Sequence, residues 1–425
     1  MAFTDVLVWE IRTAGSDANG GAFDPITGVP GTDFSQQDSA QFSYTDIVID
    51  ATTNTDCTSA ARPFTSVDVG NIIKITSGTG FTVQSVLIKS VTAGVARMDK
   101  SLGTLGSTGG TGNLGGAKGS PGEVAGLIVT DNIIYVKSGT YTIGSGTVNT
   151  SGNKIDTTVS GYWIGYETTR GDYGTKPVFS TAQSSLSIFR CGVGASHVRN
   201  LKVAQTAGTS TKGFECDGAG TTWLLCEAAD IAGPGFDIGG INQTLVECEA
   251  HGCTTNSGQF NVFNSSSMFI RCIARNSGAG TPGFNIGEEC YLEGCIADTN
   301  TISGFTITSF SDGSVLVRCI SYNNTEEGFG TTTGATSVVF DHCIAEENGS
   351  NGFDVNQAPV TLINCAGYNN TSGNVAGITP TVNINFQNLT VSAFVDAVSN
   401  DFNINNTSGG GAVLRVITRT MPFSA

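Results

Sequence analysis

Residues 328–370 read GFGTTTGATSVVFDHCIAEENGSNGFDVNQAPVTLINCAGYNN and contain one pattern twice. A Gly-Phe pair is followed by a short apolar run that ends in a cysteine, and an Asn-containing turn comes next. The apolar residues alternate with polar ones or form short β-branched runs, and neither pattern has the 3.6-residue period of a helix. Each unit therefore reads as a few short strands joined by turns.

The same spacing extends upstream through seven cysteines and seven phenylalanines. The intervals between successive cysteines are 22, 24, 23, 24, 24 and 22, and each phenylalanine precedes its cysteine by 11 to 14 residues. The columns are Cys226, Cys248, Cys272, Cys295, Cys319, Cys343 and Cys365, and Phe214, Phe236, Phe260, Phe284, Phe305, Phe329 and Phe353. Such periods indicate a solenoid, so we predict an all-β, right-handed parallel β-helix with coils of 22–24 residues.

Equivalent strands of successive coils pair at about 4.8 Å, so equivalent side chains stack in columns. We predict that the cysteines form a reduced internal column, because a packed cysteine behaves as a small hydrophobe. Disulfides and a metal site are the alternatives; Cys248, His251 and Cys253 approach a zinc pattern but lack a second pair. We also predict an asparagine ladder at the turn, formed by Asn276, Asn300, Asn323, Asn348 and Asn369.

Composition changes divide the chain into four predicted segments. An extended N-terminal arm covers 1–45, and a small β module covers 46–117, with strands near 47–49, 72–75, 86–88 and 95–98 and a Gly-rich linker at 103–116. The β-helix covers 118–395 and begins with a short capping helix at 121–128. Terminal strands, including 413–417, cap its other end within 396–425.

The formal charge of −16, with a pI near 4.5, opposes binding to phosphate backbones, so we expect no nucleic-acid partner. No stretch approaches the roughly 20 apolar residues that span a bilayer, and the N-terminal residues do not resemble a secretion signal. These features predict a protein without a membrane partner that is made in a cytoplasm.

Three segments resemble motifs of bacteriophage virion proteins in which a small β module precedes a pectate-lyase-like β-helix. They are 63–73 (PFTSVDVGNII), 165–172 (GYETTRGD) and 9–17 (WEIRTAGSD). The resemblance implies a tailspike or decoration protein of the virion, a homotrimer, attachment to other head or tail proteins through the N-terminal region, and contact with host surface polysaccharide. Some members of this family are instead polysaccharide lyases or hydrolases.

The residue after each phenylalanine is expected on the outer face of its sheet, in the column Glu215, Asp237, Asn261, Asn285, Thr306, Gly330 and Asp354. Glu215 and Asp237 would then be stacked neighbours at a spacing that suits retaining glycoside hydrolysis. Solvated strand residues that prevent sheet aggregation are the favoured interpretation. Before the cysteines, Glu247 with Arg271 and Arg318 with His342 are predicted outward ion pairs.

We assign no catalytic, cofactor-binding or metal-binding residue from the sequence. Residues 17–21 (DANGG) have the start of a calcium loop but not its later ligands, so we interpret them as a polar turn. His197, His251 and His342 fall in separate coils. The leading hypothesis is a non-enzymatic virion structural protein. The alternative is a polysaccharide depolymerase that uses Glu215 and Asp237.

Overall fold

The computed structural model describes residues 5–26, 31–150, 152–255, 257–263, 266–308, 313–332, 334–335, 337–355, 360–377 and 382–417. The chain divides into two compact units, which are residues 1–180 with 196–201, and residues 181–195 with 202–425. Each unit is described by itself. Among the described residues, no helix has both the length and the apolar character needed to span a bilayer.

The predicted N-terminal β module is a closed antiparallel barrel in the first unit. In barrel order its strands are Phe42–Ile49, Asp56–Thr58, Val95–Met98, Gln84–Thr92, Ile72–Ser77 and Gly110–Leu114. Alternate residues such as Ile47, Ile73 and Val86 are fully buried in its core, as the period of two requires. A 3₁₀ turn, Ser66–Asp68, connects two of the strands.

The Gly-rich segment predicted as a linker contains the strand that closes this barrel. Gly110–Leu114 pairs with both Phe42–Ile49 and Ile72–Ser77. A Cβ atom on Gly112 would lie 3.0 Å from the carbonyl oxygen of Lys74. Glycine is needed here for a close approach of backbones, so its presence does not indicate a flexible connection.

The N-terminal segment is only partly the extended arm that the sequence suggests. Val8–Ile11 pairs in parallel with Asn132–Lys137, and Ala22–Phe23 pairs with it on the other side. Trp9 and Ile11 are fully buried, so these apolar residues form a strand because it removes them from water. Residues 1–4 and 27–30 of the predicted arm lie outside the described residues.

The first unit also holds the earliest coils. Their strands are Asn132–Lys137, Thr140–Thr142, Ile155–Thr157, Gly161–Tyr166, Val178–Thr181 and His197–Arg199. The predicted short helix is present as Pro121–Ala125, where the Ser120 hydroxyl accepts a hydrogen bond from the backbone N–H of Glu123 at 3.3 Å. Proline in the first turn and this N-cap explain where the helix begins.

The second unit consists of three parallel sheets, which we name by the residue type that points inward. The strands of the Phe sheet are Ser187–Cys191, Lys212–Cys216, Phe236–Ile238, Phe260–Val262, Phe284–Ile286, Phe305–Ile307, Phe329–Thr331, Asn351–Val355 and Gly373–Gly377. Those of the Leu sheet are Thr222–Leu224, Thr244–Val246, Met268–Ile270, Tyr291–Glu293, Val315–Val317, Val338–Asp341, Val360–Ile363 and Val382–Ile384. Those of the Ala sheet are Lys202–Gln205, Glu227–Ala229, Glu249–His251, Ile273–Arg275, Ile296–Asp298, Ile320–Tyr322, Ile344–Glu346, Ala366–Tyr368 and Gln387–Asn388.

Two of the predicted columns are present in this unit. The phenylalanines of the Phe sheet pair in register, and from Phe236 to Phe353 successive ring centroids are 4.7–4.8 Å apart. The seven cysteines are fully buried. The thiol of Cys343, for example, donates to the carbonyl oxygen of Leu316 in the preceding coil at 3.3 Å. In-register stacking thus builds the core.

All twelve cysteines are buried free thiols, and burial raises the pKa of Cys253 to about 12. We therefore expect a thiol reagent such as dithionitrobenzoate to label almost none of them in the native protein, and all twelve after denaturation without reductant. Prompt labelling of the native protein would contradict the packed column. Fewer than twelve thiols after unfolding would contradict their reduced state.

The predicted asparagine ladder was right for Asn300 and Asn348 and wrong for its other three members. Asn276, Asn323 and Asn369 are exposed corner residues with positive φ angles of 49° to 50°. The buried ladder consists of Asn300, Asn324, Asn348 and Asn370, whose amides donate to one another at 2.9–3.0 Å. The residue at the corner is followed directly by the inward one, so an offset of one position decides which asparagine is buried.

This ladder explains the glycine of four Gly-Phe pairs, those of Gly283, Gly304, Gly328 and Gly352. A Cβ on Gly328 would lie 2.5 Å from the carbonyl oxygen of Gly352 and 2.9 Å from the side-chain nitrogen of Asn348. At these four positions a side chain would collide with the ladder and the next coil, which is why glycine recurs there. The coil of Phe260 instead has Gln259, whose side-chain amide donates to Oδ1 of Asn300 at 2.6 Å.

The C-terminal segment differs from the predicted capping strands. Phe394–Asp396 and Asp401–Ile404 form a hairpin around the 3₁₀ turn Ala397–Ser399, and Gly411–Ile417 is a helix instead of a strand. These elements pack on the outer face of the Ala sheet; the cluster comprises Ile320, Tyr322, Ile344, Ala366, Leu389, Ala393, Phe394, Ala397, Ile404 and Leu414. Ile320 and Ile344 point outward from this sheet, and the C-terminal elements remove them from water. Residues 418–425 lie outside the described residues.

Glu346 is fully buried beneath this segment, and its Oε2 accepts a hydrogen bond from the backbone N–H of Ala393 at 3.1 Å. Burial raises its pKa, so the ionised form costs stability above the raised folded-state pKa, and protonation relieves that cost as the pH falls. We expect Glu346→Gln to raise the free energy of unfolding at pH 7–8, with a gain that shrinks on acidification. Urea titrations at several pH values measure it. The exposed Glu326→Gln serves as the control, and a gain that is independent of pH would contradict the explanation.

Candidate functional site

The outer face of the Phe sheet brings the two candidate carboxylates together as predicted. Glu215 lies directly opposite Asp237 in the register of two adjacent strands. Asp237 lies opposite Asn261, and the Asn261 amide donates to Oδ1 of Asp237 at 2.7 Å. The Asn285 amide in turn donates to Oδ1 of Asn261 at 3.0 Å. We call this set, Glu215, Asp237, Asn261 and Asn285, the polar row.

A lysine bridges the two carboxylates. The Nζ atom of Lys212 lies 2.6 Å from Oδ2 of Asp237 and also contacts Oε1 of Glu215. Burial by itself lowers the pKa of Lys212, but its hydrogen bonds to both carboxylates raise the pKa to about 12. Lys212 therefore stays charged at any physiological pH and contacts both carboxylates.

Further contacts hold Glu215. Its Oε2 accepts a hydrogen bond from the hydroxyl of Ser187 and lies 3.5 Å from Nε of Arg190. Arg190 also pairs with Asp217, at 2.6 Å. Retaining glycosidases need one carboxyl group that is protonated near neutral pH. In this site both carboxylates contact cations, and the cluster offers closely spaced donors and acceptors.

The row is less exposed than a solvated strand face would be. The side chain of Asp237 is 7% exposed and Asn261 is fully buried, although both residues point away from the core. Thr306, Gly330 and Asp354 continue the column in register at intermediate exposure. The accessible part of the row is therefore near Glu215 and Lys212.

Sequence reasoning missed both cations of this site, although a signal for one of them was present. Phe189-Arg190-Cys191 precedes Phe214-Glu215-Cys216 by one coil, and the two segments pair in register. Extending the phenylalanine column by one coil would have placed Arg190 above Glu215. Lys212 lies two positions before Phe214, where a long side chain reaches the next coil.

Of the two ion pairs predicted for the corner residues that precede the cysteines, one forms and the other does not. Glu247 and Arg271 form the predicted pair at 2.6 Å. Arg318 does not pair with His342 as predicted, because its guanidinium lies 3.1 Å from Glu293. His342 instead contacts Asp341 at 2.6 Å. These residues occupy left-handed corners, so their side chains diverge from the strand direction.

The remaining candidate segments have structural roles. Oδ1 of Asp17 accepts backbone N–H groups of Gly119 and Ser120 at 3.1 and 2.9 Å, as expected of a polar turn. Lys118, fully buried, donates to the carbonyl oxygen of Asp17 at 2.9 Å. Within the described ranges, no group of three or more His, Cys, Asp and Glu side chains could hold a metal ion.

Two of the motifs behind the virion resemblance, 9–17 and 165–172, contact each other. Glu10, fully buried, lies 2.8 Å from Arg170 and accepts a hydrogen bond from the hydroxyl of Tyr166. In the barrel, Asp68 is also fully buried, pairs with Arg62 at 2.6 Å and caps the turn that begins after Thr65. These contacts hold the early coils and the barrel in place, so the residues of the motifs have a structural role.

Residues 188–366 match a family model described as "Right handed beta helix region". This match and the three parallel sheets confirm the predicted right-handed parallel β-helix. No curated protein matches the sequence.

Several solved structures are similar to this chain at low identity. The A-module of a mannuronan C-5 epimerase from Azotobacter vinelandii has 16% identity and a TM-score of 0.42, with 65% of this chain and 78% of that chain covered. A pectate lyase has 17% identity and a TM-score of 0.39, with 69% and 82% covered. The catalytic domain of an α-1,3-glucanase has 10% identity and a TM-score of 0.29, with 82% and 90% covered.

Proposed function

We propose that this protein is a non-enzymatic structural protein displayed on a bacteriophage particle, whose β-helix contacts host surface glycans without cleaving them. The observation that carries the proposal is the bridge from Lys212 to Glu215 and Asp237. The ammonium group occupies an oxygen of each carboxylate, and this paired set of donors and acceptors suits hydrogen bonding to sugar hydroxyls more than general acid catalysis, which needs a carboxyl group free to reach the leaving group. The virion location rests on the resemblance of 9–17, 63–73 and 165–172 to phage proteins.

The second candidate is a polysaccharide depolymerase. It is favoured by one observation, the direct register of Glu215 with Asp237 on adjacent strands, which gives a carboxylate spacing close to that of retaining glycosidases. For this activity Lys212 would have to move away so that one carboxyl group could reach the leaving group.

A binding and cleavage assay separates the two candidates. The probes are purified lipopolysaccharides and capsular polysaccharides from a panel of bacterial strains, tested by biolayer interferometry and by assays for new reducing ends and unsaturated products. We expect binding to at least one glycan and no products. Products whose formation is lost in both Glu215→Gln and Asp237→Asn, but not in the exposed Asp217→Asn, would overturn the non-enzymatic assignment. Absence of binding across the panel would overturn glycan contact.

The proposed assembly is a homotrimer that attaches to other head or tail proteins through its N-terminal region. Light scattering at micromolar concentration should give three times the chain mass of 43.7 kDa, and a monomer would count against the trimer. Antibody against the barrel should label purified particles poorly if this module is buried at the attachment point, whereas antibody against the β-helix should label them well.

A further inference from the structure

The outer face of the Leu sheet in the second unit is largely apolar from its first strand to its last. On each strand the residues that flank the inward one point outward, and they pair in register from coil to coil. The apolar ones are Leu224, Val246, Met268, Ile270, Tyr291, Val315, Val317, Val339, Ile363 and Ile384, and the others are Thr222, Thr244, Glu293, Asp341 and Thr361. We call these outward residues the Leu face.

The apolar side chains of the Leu face stay partly open to solvent, unlike the outward isoleucines of the Ala sheet. Met268 is 40% exposed and Ile384 is 45% exposed, and the other members have intermediate exposure. Ile320 and Ile344, in contrast, are 8% and 5% exposed beneath the C-terminal elements. Among the described residues, the chain thus covers one apolar outer surface and leaves the Leu face open. A contiguous apolar surface of this kind is typical of an interaction site.

The two acidic residues of the Leu face already have basic partners at its border. Glu293 lies 3.1 Å from Arg318, and Asp341 contacts His342 at 2.6 Å. The whole chain carries a net charge of −16, so two copies repel each other over most of their surfaces. At the Leu face a second copy would instead meet apolar side chains and paired charges. A strongly charged partner would find no unpaired charge to match its own on this face.

The Leu face is large enough for a specific contact between copies. Its eight strands, stacked at about 4.8 Å, give a length of about 34 Å, and the strands with their corner residues give a width of about 15 Å. Two such faces together bury roughly 1,000 Å², which is the lower limit for a specific interface. Met268 and Tyr291 lie near the middle of the face, and methionine and tyrosine are enriched at interfaces.

We propose that copies of this chain associate through their Leu faces, so that the apolar residues of one copy are covered by those of another. The inference rests on the homotrimer of the proposed function and names its interface, but it involves neither the polar row nor a glycan. In a closed trimer the three Leu faces surround the symmetry axis. Burial of apolar area stabilises the contact, and added salt strengthens it because salt screens the repulsion between the acidic copies.

Sedimentation velocity of the full-length protein tests this interface with two lysine substitutions in the same coil. Val315→Lys places a charge in the middle of the Leu face, where its direct neighbours Tyr291 and Val339 have no carboxylate. We expect the dissociation constant of the assembly to rise at least about a hundredfold, because a buried unpaired charge is destabilising. Thr306→Lys, at an outward position of intermediate exposure on the Phe sheet, should leave the assembly intact.

Cross-linking gives a second measurement that does not depend on a charged variant. The twelve native cysteines are buried, so an introduced surface cysteine is the one that a short bismaleimide reaches in the folded protein. Val315 lies near the middle of the Leu face, and the reagent should therefore link Val315→Cys chains into dimers on a denaturing gel. The matched Thr306→Cys variant should remain a single chain.

The outcomes separate this interface from the rest of the proposed function. An assembly that persists in Val315→Lys, or cross-linking of Thr306→Cys and not of Val315→Cys, would overturn the Leu face as the interface and leave the trimer in place. A monomeric wild-type protein would overturn both the trimer and this inference, and the face would then belong to a different partner. Weaker association at high sodium chloride concentration than at low concentration would overturn the apolar contact. Glycan binding is measured independently of all these results.

Discussion

Phe284→Ala is expected to lower the free energy of unfolding by about 3–5 kcal/mol, the usual cost of removing a buried phenylalanine. The ring of Phe284 stacks between Phe260 at 4.7 Å and Phe305 at 4.8 Å, and Phe269 meets it edge-on at 6.5 Å. Neighbouring coils are tied by backbone pairing on both sides, so they cannot collapse into the space that the ring leaves. Urea unfolding followed by circular dichroism measures the change.

The control for this prediction is Phe263→Ala in the coil before. Phe263 is 58% exposed, so its removal should change the free energy of unfolding by less than about 0.5 kcal/mol. Because solenoid coils contact mainly their neighbours, the Phe284 variant could also unfold in two transitions, with the central coils opening first. Equal losses in both variants would contradict the stacked column as a source of stability.

Asn324→Leu is expected to cost about 3 kcal/mol, although leucine is similar in size and more hydrophobic. Oδ1 of Asn324 accepts both the backbone N–H and the side-chain N–H of Asn300 at 2.9 Å, and its Nδ2 donates to Asn348 at 3.0 Å. Removing it leaves buried polar groups on both sides without partners, and each such group costs about 1–3 kcal/mol. The same urea titration measures the loss.

Its control is the adjacent residue. Asn323 is exposed and has a φ of 50°, a conformation that glycine adopts without strain. Asn323→Gly should therefore leave the free energy of unfolding nearly unchanged, since no buried hydrogen bond is lost. If the effects were reversed, with Asn323 the sensitive position, the asparagine ladder would have the membership that the sequence suggested and not the one in the structure.

Much of the fold was predictable because the chain repeats. In a parallel in-register solenoid, residues one period apart occupy the same environment, so Cys319 and Cys343 identify a column without any knowledge of distant contacts. The stacking of Glu215 on Asp237 followed from the same rule. The barrel strands followed from their alternation of apolar and polar residues.

The wrong predictions about segments concern parts of the chain that lie outside the repeats, where no coil period relates one residue to another. Gly110–Leu114 closes the barrel through pairing with two strands far away in sequence, and glycine composition alone suggested a linker. Gly411–Ile417 is a helix within a segment that packs against the Ala sheet. Tertiary contacts decided both, because short segments with weak intrinsic preference take the conformation that buries their apolar side.

The sequence by itself determined the coil period, the cysteine and phenylalanine columns and the two residues of the candidate carboxylate pair. Only the tertiary structure decided that Lys212 bridges this pair, that Asn324 and not Asn323 is buried, and that Tyr173 meets Arg199. The physical reason is that columns depend on spacing along the chain. The direction of a side chain at a corner or on a loop depends instead on the backbone angles of single residues and on partners that no period relates.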